Sequence, residues 1–298
     1  VNLLPARLRP ALSAIRLKHE LQLGFADILV SGSLVDPDPK ASTLVMANHV
    51  CGWDLHLARW LTQRSGLTFS CFTNPSDLLR QPSLAHLGLR AIPRDDPITA
   101  AGILRKEGNR LAGAPGQALW IYPQGGFFRM AERPVVETGV LGVRASARSA
   151  NFVCVAMHYE LYGPRRAWAW LKVTPVSQPQ PRNAAQLGEV LHATHAALMS
   201  DLREGTGEYR PILREGSTVV VMGGTPVNLA TVNEFLSLDP DTRGCQMVNN
   251  PATRQLALSG RPVEASVVGN SLRQNLGRAM ADLILSHLTG GTDVDARS

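Results

Sequence analysis

The sequence predicts an α/β fold: a mixed, mostly parallel sheet covered by helices on both faces, with an apolar, basic N-terminal helix before it and a C-terminal α/β extension after it. Two observations predict it. Short apolar runs alternate with helical segments between residues 26 and 205, the order that buries a sheet between helical layers. A content of 44% hydrophobic and 18% charged residues belongs to a folded chain and excludes a disordered one.

The elements follow in order. Residues 3–23, "LLPARLRPALSAIRLKHELQL", form a helix with Pro10 in its first turn and Gly24 at its end. Leu12, Ile15 and Leu23 fall on one side of the wheel, and Ala14, Leu17 and Leu21 near the other. A helix apolar on two sides packs between layers or sets one side into lipid with Arg7, Arg9, Arg16 and Lys18 near headgroups, and both readings stay open. Residues 26–32 and 42–48 read as strands joined by the turn "VDPDPKA". Then come a helix over 54–66, a strand over 67–73, a helix from Pro75 to Leu87 and a strand over 89–94. A helix over 97–112, a strand over 117–123, a small-residue helix over 139–150, strands over 152–160 and 167–176, and a helix over 184–205 complete the run.

This divides the chain into a packing or membrane-contacting helix (1–23), a main domain (24–205) and an extension of unassigned role (206–298). In the extension, "TVVVMGG" (218–224) reads as a strand and Thr225 as the cap of a helix. Residues 239–263, rich in Pro, Asn, Gly and Arg, read as irregular, and 265–288 as one helix with a core stripe.

A net charge of +6 and a pI near 9.5 point to anionic partners: phosphate-bearing substrates, anionic lipid surfaces or nucleic acid. Nucleic acid fits least, because aromatics make up 5% of the chain and no recognition motif is present. Cys51, Cys71, Cys154 and Cys245 lie far apart with no metal-ligand spacing, the pattern of reduced thiols in a cytosolic compartment. The N-terminus has no signal-peptide pattern and no stretch is apolar enough to span a bilayer. If the chain meets a membrane, it is expected to lie on it.

The chemistry concentrates in "STLVMANHVCGWDLH" (42–56), where an apolar strand ends in Asn48-His49. His49 is the one histidine of eight with an aspartate five residues on, Asp54. The pair meets if His49 lies in the turn before the helix and Asp54 in its first turn. A histidine then serves as general base, a role worth about 10²–10⁴-fold in rate, and the carboxylate holds its tautomer. The bland alternative is a polar loop after a strand. Arg94 and Pro123-Gln124 also stand at strand ends, where α/β sites assemble. Gly125-Gly126 let backbone N–H groups approach a phosphate or a developing oxyanion, or simply make a turn. A nucleophilic Cys51 is a further alternative, without a feature that lowers its pKa. No His/Asp/Glu cluster completes a metal site, so none is expected.

Taken together, Asn48-His49-x4-Asp54 resembles the N-H-x4-D motif of the glycerolipid acyltransferases of the lysophosphatidate type. Gly88-Leu89-Arg90-Ala91-Ile92-Pro93-Arg94 matches that family's G-x-x-x-I-x-R, and Tyr122-Pro123-Gln124-Gly125 is similar to its F-P-E-G. Val153-Cys154-Val155 stands where the family has V-P-V, and "ETGVLGVRASA" (137–147) looks like F-K-x-G-A-x-x-L-A. The resemblance covers residues 24–205. It implies transfer of an acyl group from acyl-CoA or acyl-carrier protein, as co-substrate, to a lipid hydroxyl without an acyl-enzyme. It implies no other cofactor, His49 and Asp54 as catalytic residues, Asn48 beside them, and Arg94 pairing with acceptor phosphate. It also implies a cytoplasmic protein, peripheral on the inner face of the cell membrane.

The chain departs from the pattern where F-P-E-G-T-R-S becomes Tyr122-Pro-Gln-Gly-Gly-Phe-Phe-Arg129. A carboxylate gives way to Gln124, and Phe127 and Phe128 replace polar groups, leaving Arg129 to substitute for the family's arginine. The Pro-Gln-Gly variant is similar to acyltransferases acting on glycolipids or carotenoid glycosides. A lysophospholipid or a more neutral lipid is therefore the expected acceptor. A catalytically silent lipid-binding relative is the alternative.

Overall fold

The computed structural model describes residues 9–35, 38, 40–127, 136–160, 166–177, 180–204, 208–214, 219–222, 225–250, 255–276 and 278–288. Two compact units divide the chain, one of residues 1–160 and 166–199, the other of 161–165 and 200–298.

The first unit carries β1 (Phe25–Ser31), β2 (Thr43–Ala47), β3 (Thr68–Thr73), β4 (Leu89–Ala91), β5 (Gln117–Ile121), β6 (Asn151–Glu160) and β7 (Ala167–Pro175). They lie side by side in the order β4-β3-β5-β2-β6-β7-β1. Neighbours run parallel except β6 and β7, which are antiparallel. The mixed, mostly parallel sheet predicted from the alternation is therefore present. Strand β2 is buried at every residue, because a parallel strand covered on both faces reads as an unbroken apolar run.

Helices α1 (Arg9–Gly24), α2 (Trp53–Arg64), α3 (Pro75–Arg80), α4 (Ser83–His86), α5 (Pro97–Ala112), α6 (Gly139–Ser146) and α7 (Ala184–Glu204) connect and cover the strands. One face is sealed by Leu111 of α5, Val140 and Val143 of α6, and Leu187 and Leu191 of α7 against Leu44, Met46, Leu119, Ile121, Phe152 and Cys154. The side chains between these point the other way, the period of two that a strand imposes. There Trp120 donates its indole N–H to Thr62 of α2 at 2.8 Å. In α1, Leu17 and Leu21 are buried while Ile15 and Leu23 are exposed. One of the helix's two apolar sides packs; the other faces out. No helix among the described residues is long and apolar enough to cross a membrane.

Differences from the expected elements have local causes. The single helix expected from Pro75 to Leu87 is two, α3 and α4, because Pro82 disfavours helical backbone at Gln81, which sits at φ −139° and ψ 76°. Strand β4 stops at Ala91, short of the expected 94. Ile92 still donates to Thr73 at 2.9 Å, but Pro93 has no N–H with which to continue. Glu107 of α5 takes Arg90 of β4 at 2.6 Å and Arg110 at 2.7 Å, one on each oxygen, pinning the short edge strand.

The second unit contains β8 (Arg210–Pro211), β9 (Val219–Met222), β10 (Thr225–Asn228), α8 (Leu229–Leu238), β11 (Cys245–Asn250), β12 (Gln255–Gly260), α9 (Ala265–Leu276) and α10 (Arg278–Leu288). Thr225 is no helix cap: it opens β10, which pairs antiparallel with β9. Nor is the stretch after 239 irregular throughout, since β11 and β12 form an antiparallel pair. Cys245, Met247 and Leu256 join a core with Val232, Leu236, Val268 and Ile284. The expected last helix is divided between α9 and α10.

Candidate active site

His49 stands two residues beyond β2, in a turn gripped from both neighbouring strands. The buried Asn48 side chain imitates a strand residue. Its amide donates to the Met157 carbonyl of β6 at 2.9 Å and its oxygen accepts from the Met157 N–H at 2.7 Å. With the ladder thus extended by a side chain, the main chain is free to turn away. From the β5 side, the Gln124 side-chain oxygen accepts the His49 N–H at 2.6 Å. Both polar atoms of Asn48 are therefore occupied with backbone, and Gln124 acts on the histidine's own peptide. A Gln124→Leu variant strands a buried donor, which costs about 1–3 kcal/mol. A lowered thermal unfolding midpoint with loss of activity is the expected outcome, and an unchanged midpoint would show the contact to be idle.

Asp54 lies in the first turn of α2 and is fully buried. Its Oδ2 accepts from the Val50 N–H at 2.5 Å and the Cys51 N–H at 3.0 Å, and meets His49 Nδ1 at 2.7 Å. Because Oδ2 is the target of two backbone donors, it faces the imidazole as an acceptor. That places the proton on Nδ1 and leaves Nε2 with a lone pair. The i, i+5 spacing reaches this geometry through the tight turn of residues 49–53, closed by the Asp54 N–H on the Cys51 carbonyl at 3.2 Å.

Aromatic rings shape what surrounds the base. Tyr122, immediately after β5, stacks on His49 with ring centroids 4.3 Å apart and planes 20° apart. Its hydroxyl donates to the Asp54 carbonyl at 3.1 Å, and burial holds its ionisation well above the ordinary tyrosine range. Phe127, itself exposed, leans on His49 at 4.4 Å. Burial, followed by the charge of Asp54, pushes the Cys51 thiol up. Cys51 is thus held as a thiol, contrary to the requirement for a nucleophile.

Arg94 reaches the same turn from β4. Tyr122 to Gly125 form a β-turn, the Gly125 N–H donating to the Tyr122 carbonyl at 3.1 Å, with proline second and glycine fourth as such turns favour. Gly125 has φ +70°. The positive φ favours glycine there, and a side chain would also begin 1.8 Å from the Arg94 Nη2 atom, which would have to swing aside. Arg94 meets Glu137 at 3.2 Å, both side chains at least half exposed. Gly126 has open space on its Cα. Arg129, the expected substitute for the family's arginine, lies outside the described residues, as does Phe128.

Two residues depart from or add to the expected set. His158, near the end of β6, faces α7, with its ring 6.0 Å from that of His195. Its neighbour Tyr159 points to the opposite face and donates to Asp54 Oδ1. Strand alternation carried the hint, since adjacent residues cannot serve one face. Among the described residues no group of His, Cys, Asp or Glu is arranged to hold a metal.

No family model matches this chain and no curated protein matches it. Among solved structures, the chain is similar to the 1-acyl-sn-glycerophosphate (LPA) acyltransferase PlsC from Thermotoga maritima. The identity is 14%, over 67% of this chain and 85% of that one, with a TM-score of 0.46. A likeness this distant carries no argument about what the site does.

Proposed function

We propose that the protein is a membrane-surface O-acyltransferase, moving a fatty acyl group from a thioester donor to a hydroxyl of a lipid acceptor. The observation that carries it is the imidazole of His49, held through Nδ1 on Asp54 at 2.7 Å with Nε2 left as the base. In the proposed reaction Nε2 takes the acceptor's hydroxyl proton as the oxygen attacks the thioester carbonyl. The carbon–sulfur bond breaks, and the thiolate of coenzyme A or carrier protein recovers the proton from the imidazolium. No acyl-enzyme is formed. Gly126, open on its Cα, is where the backbone would approach the substrate.

The acceptor proposed is less anionic than lysophosphatidate. Phe127 leans an apolar ring on the base, and Glu137 lies against Arg94, the cation expected to meet a phosphate. Membrane contact is proposed for the exposed Ile15 and Leu23 side of α1, supported by the net charge of +6. A screen of hydroxylated lipids with labelled acyl-CoA and acyl-carrier protein tests the function. Transfer that depends on His49, stronger to a neutral lipid than to lysophosphatidate, is the expected result. Strong preference for the phosphate form overturns the acceptor class, and no His49-dependent thioester turnover with any acceptor overturns the enzyme.

A further inference from the structure

Asp54 has two oxygens, and the backbone donors of its own turn take Oδ2. Oδ1 faces β6, where the Tyr159 hydroxyl donates to it across 105 positions of sequence. The Cys51 thiol donates more weakly to the same oxygen, at 3.8 Å. Burial, with Asp54 as the next cause, holds Tyr159 well above the ordinary tyrosine range, so the phenol remains a donor. The ring itself is fixed from the outside. Phe25, the first residue of β1, packs on Tyr159 at 5.9 Å and on Trp53 at 5.2 Å, the latter edge to face.

We infer that Tyr159 is a positioning residue of the proposed acyl transfer: through Asp54 Oδ1 it fixes the carboxylate that orients His49 and shares its negative charge. The inference rests on the function proposed above. The contact that carries the role is the hydrogen bond of the Tyr159 hydroxyl to Asp54. A carboxylate held on one oxygen by its own turn and on the other by a separate strand is restrained from rotating. Part of its charge is drawn toward the phenol, away from the imidazole.

The consequences have a sign. In a Tyr159→Phe variant the carboxylate charge falls more fully on the imidazole and favours the imidazolium, which is inactive as a base. The acid limb of the kcat/KM profile then moves to higher pH. Loss of orientation lowers kcat by roughly 10–100-fold, the range seen when an outer partner of a functional ligand is removed, while KM for the donor stays near its native value.

The test records pH profiles of the full chain and of Tyr159→Phe, with His49→Gln beside them. A Tyr159→3-fluorotyrosine chain keeps the shape and the hydroxyl, so it reports even if the phenylalanine variant does not fold. Its stronger donor is expected to move the acid limb to lower pH. Opposite displacements by the two variants support the inference. An unmoved limb in the fluorinated chain, or a Tyr159→Phe enzyme within twofold of native kcat, overturns it. If His49→Gln stays active, the function proposed above fails; if that variant is inactive while the Tyr159 variants behave as native, only the role of Tyr159 fails.

Discussion

His49→Ala is expected to abolish acyl transfer while leaving the fold intact. The acceptor hydroxyl barely ionises at neutral pH, and a positioned base is worth about 10²–10⁴-fold. With the imidazole gone, its neighbours Cys51 and Tyr122 are poor bases, held as a thiol and as a phenol. The fold survives because the turn keeps its backbone contacts when the ring's stacking on Tyr122 and bond to Asp54 are lost. The N–H at position 49 still reaches Gln124, and Asp54 keeps the donors Val50, Cys51 and Tyr159. Labelled-thioester turnover and the thermal unfolding midpoint check the two halves separately. Near-native turnover by this variant removes His49 from the mechanism.

Asp54→Asn is expected to reduce kcat at neutral pH by roughly 10²–10⁴-fold, the share of rate that a supported general base supplies. The surrounding donors dictate why. The Val50 and Cys51 N–H groups both require an acceptor where Oδ2 stood, so the asparagine oxygen turns to them. Nδ1 shares that acceptor position, so the tautomer is kept, the NH₂ meets the Tyr159 hydroxyl on the other side, and what is lost is the negative charge that stabilises the imidazolium formed during attack. Without that counter-charge the imidazole takes the acceptor's proton less readily. Steady-state kinetics against pH measure the loss, and a fall of less than tenfold would show that the carboxylate charge does not support the imidazolium.

How much of this was legible beforehand differs between the units. In the first, strands such as Leu-Val-Met-Ala and Val-Cys-Val-Ala-Met are buried on both faces, so apolar content alone marks them. In the second, the buried residues among the described side chains of β11 alternate, Cys245 and Met247. Gln246 and the surrounding asparagines, glycine and arginines hide a period of two behind loop composition. Thr225 misled for a related reason. Threonine caps helices and pairs in strands equally well, and its partner β9 decides between them.

The site divides along the same line. That His49 could meet Asp54 was readable from spacing, because a turn followed by a helix's first turn brings i and i+5 together with no help from elsewhere. Arg94 and the Tyr-Pro-Gln-Gly turn were readable as strand-end neighbours, since a parallel sheet gathers such ends along one edge. What no local pattern contains is who holds the pair in place. Asn48 as an extension of the β2–β6 ladder, Gln124 on the His49 peptide and Tyr159 on Asp54 all join residues 75 or more positions apart. Each is a hydrogen bond set by strand order and register, quantities that arise only once β5, β2 and β6 lie side by side. Local sequence determined which groups could do the chemistry; the assembled sheet decided how they are held, because only packing brings distant donors and acceptors within bonding distance.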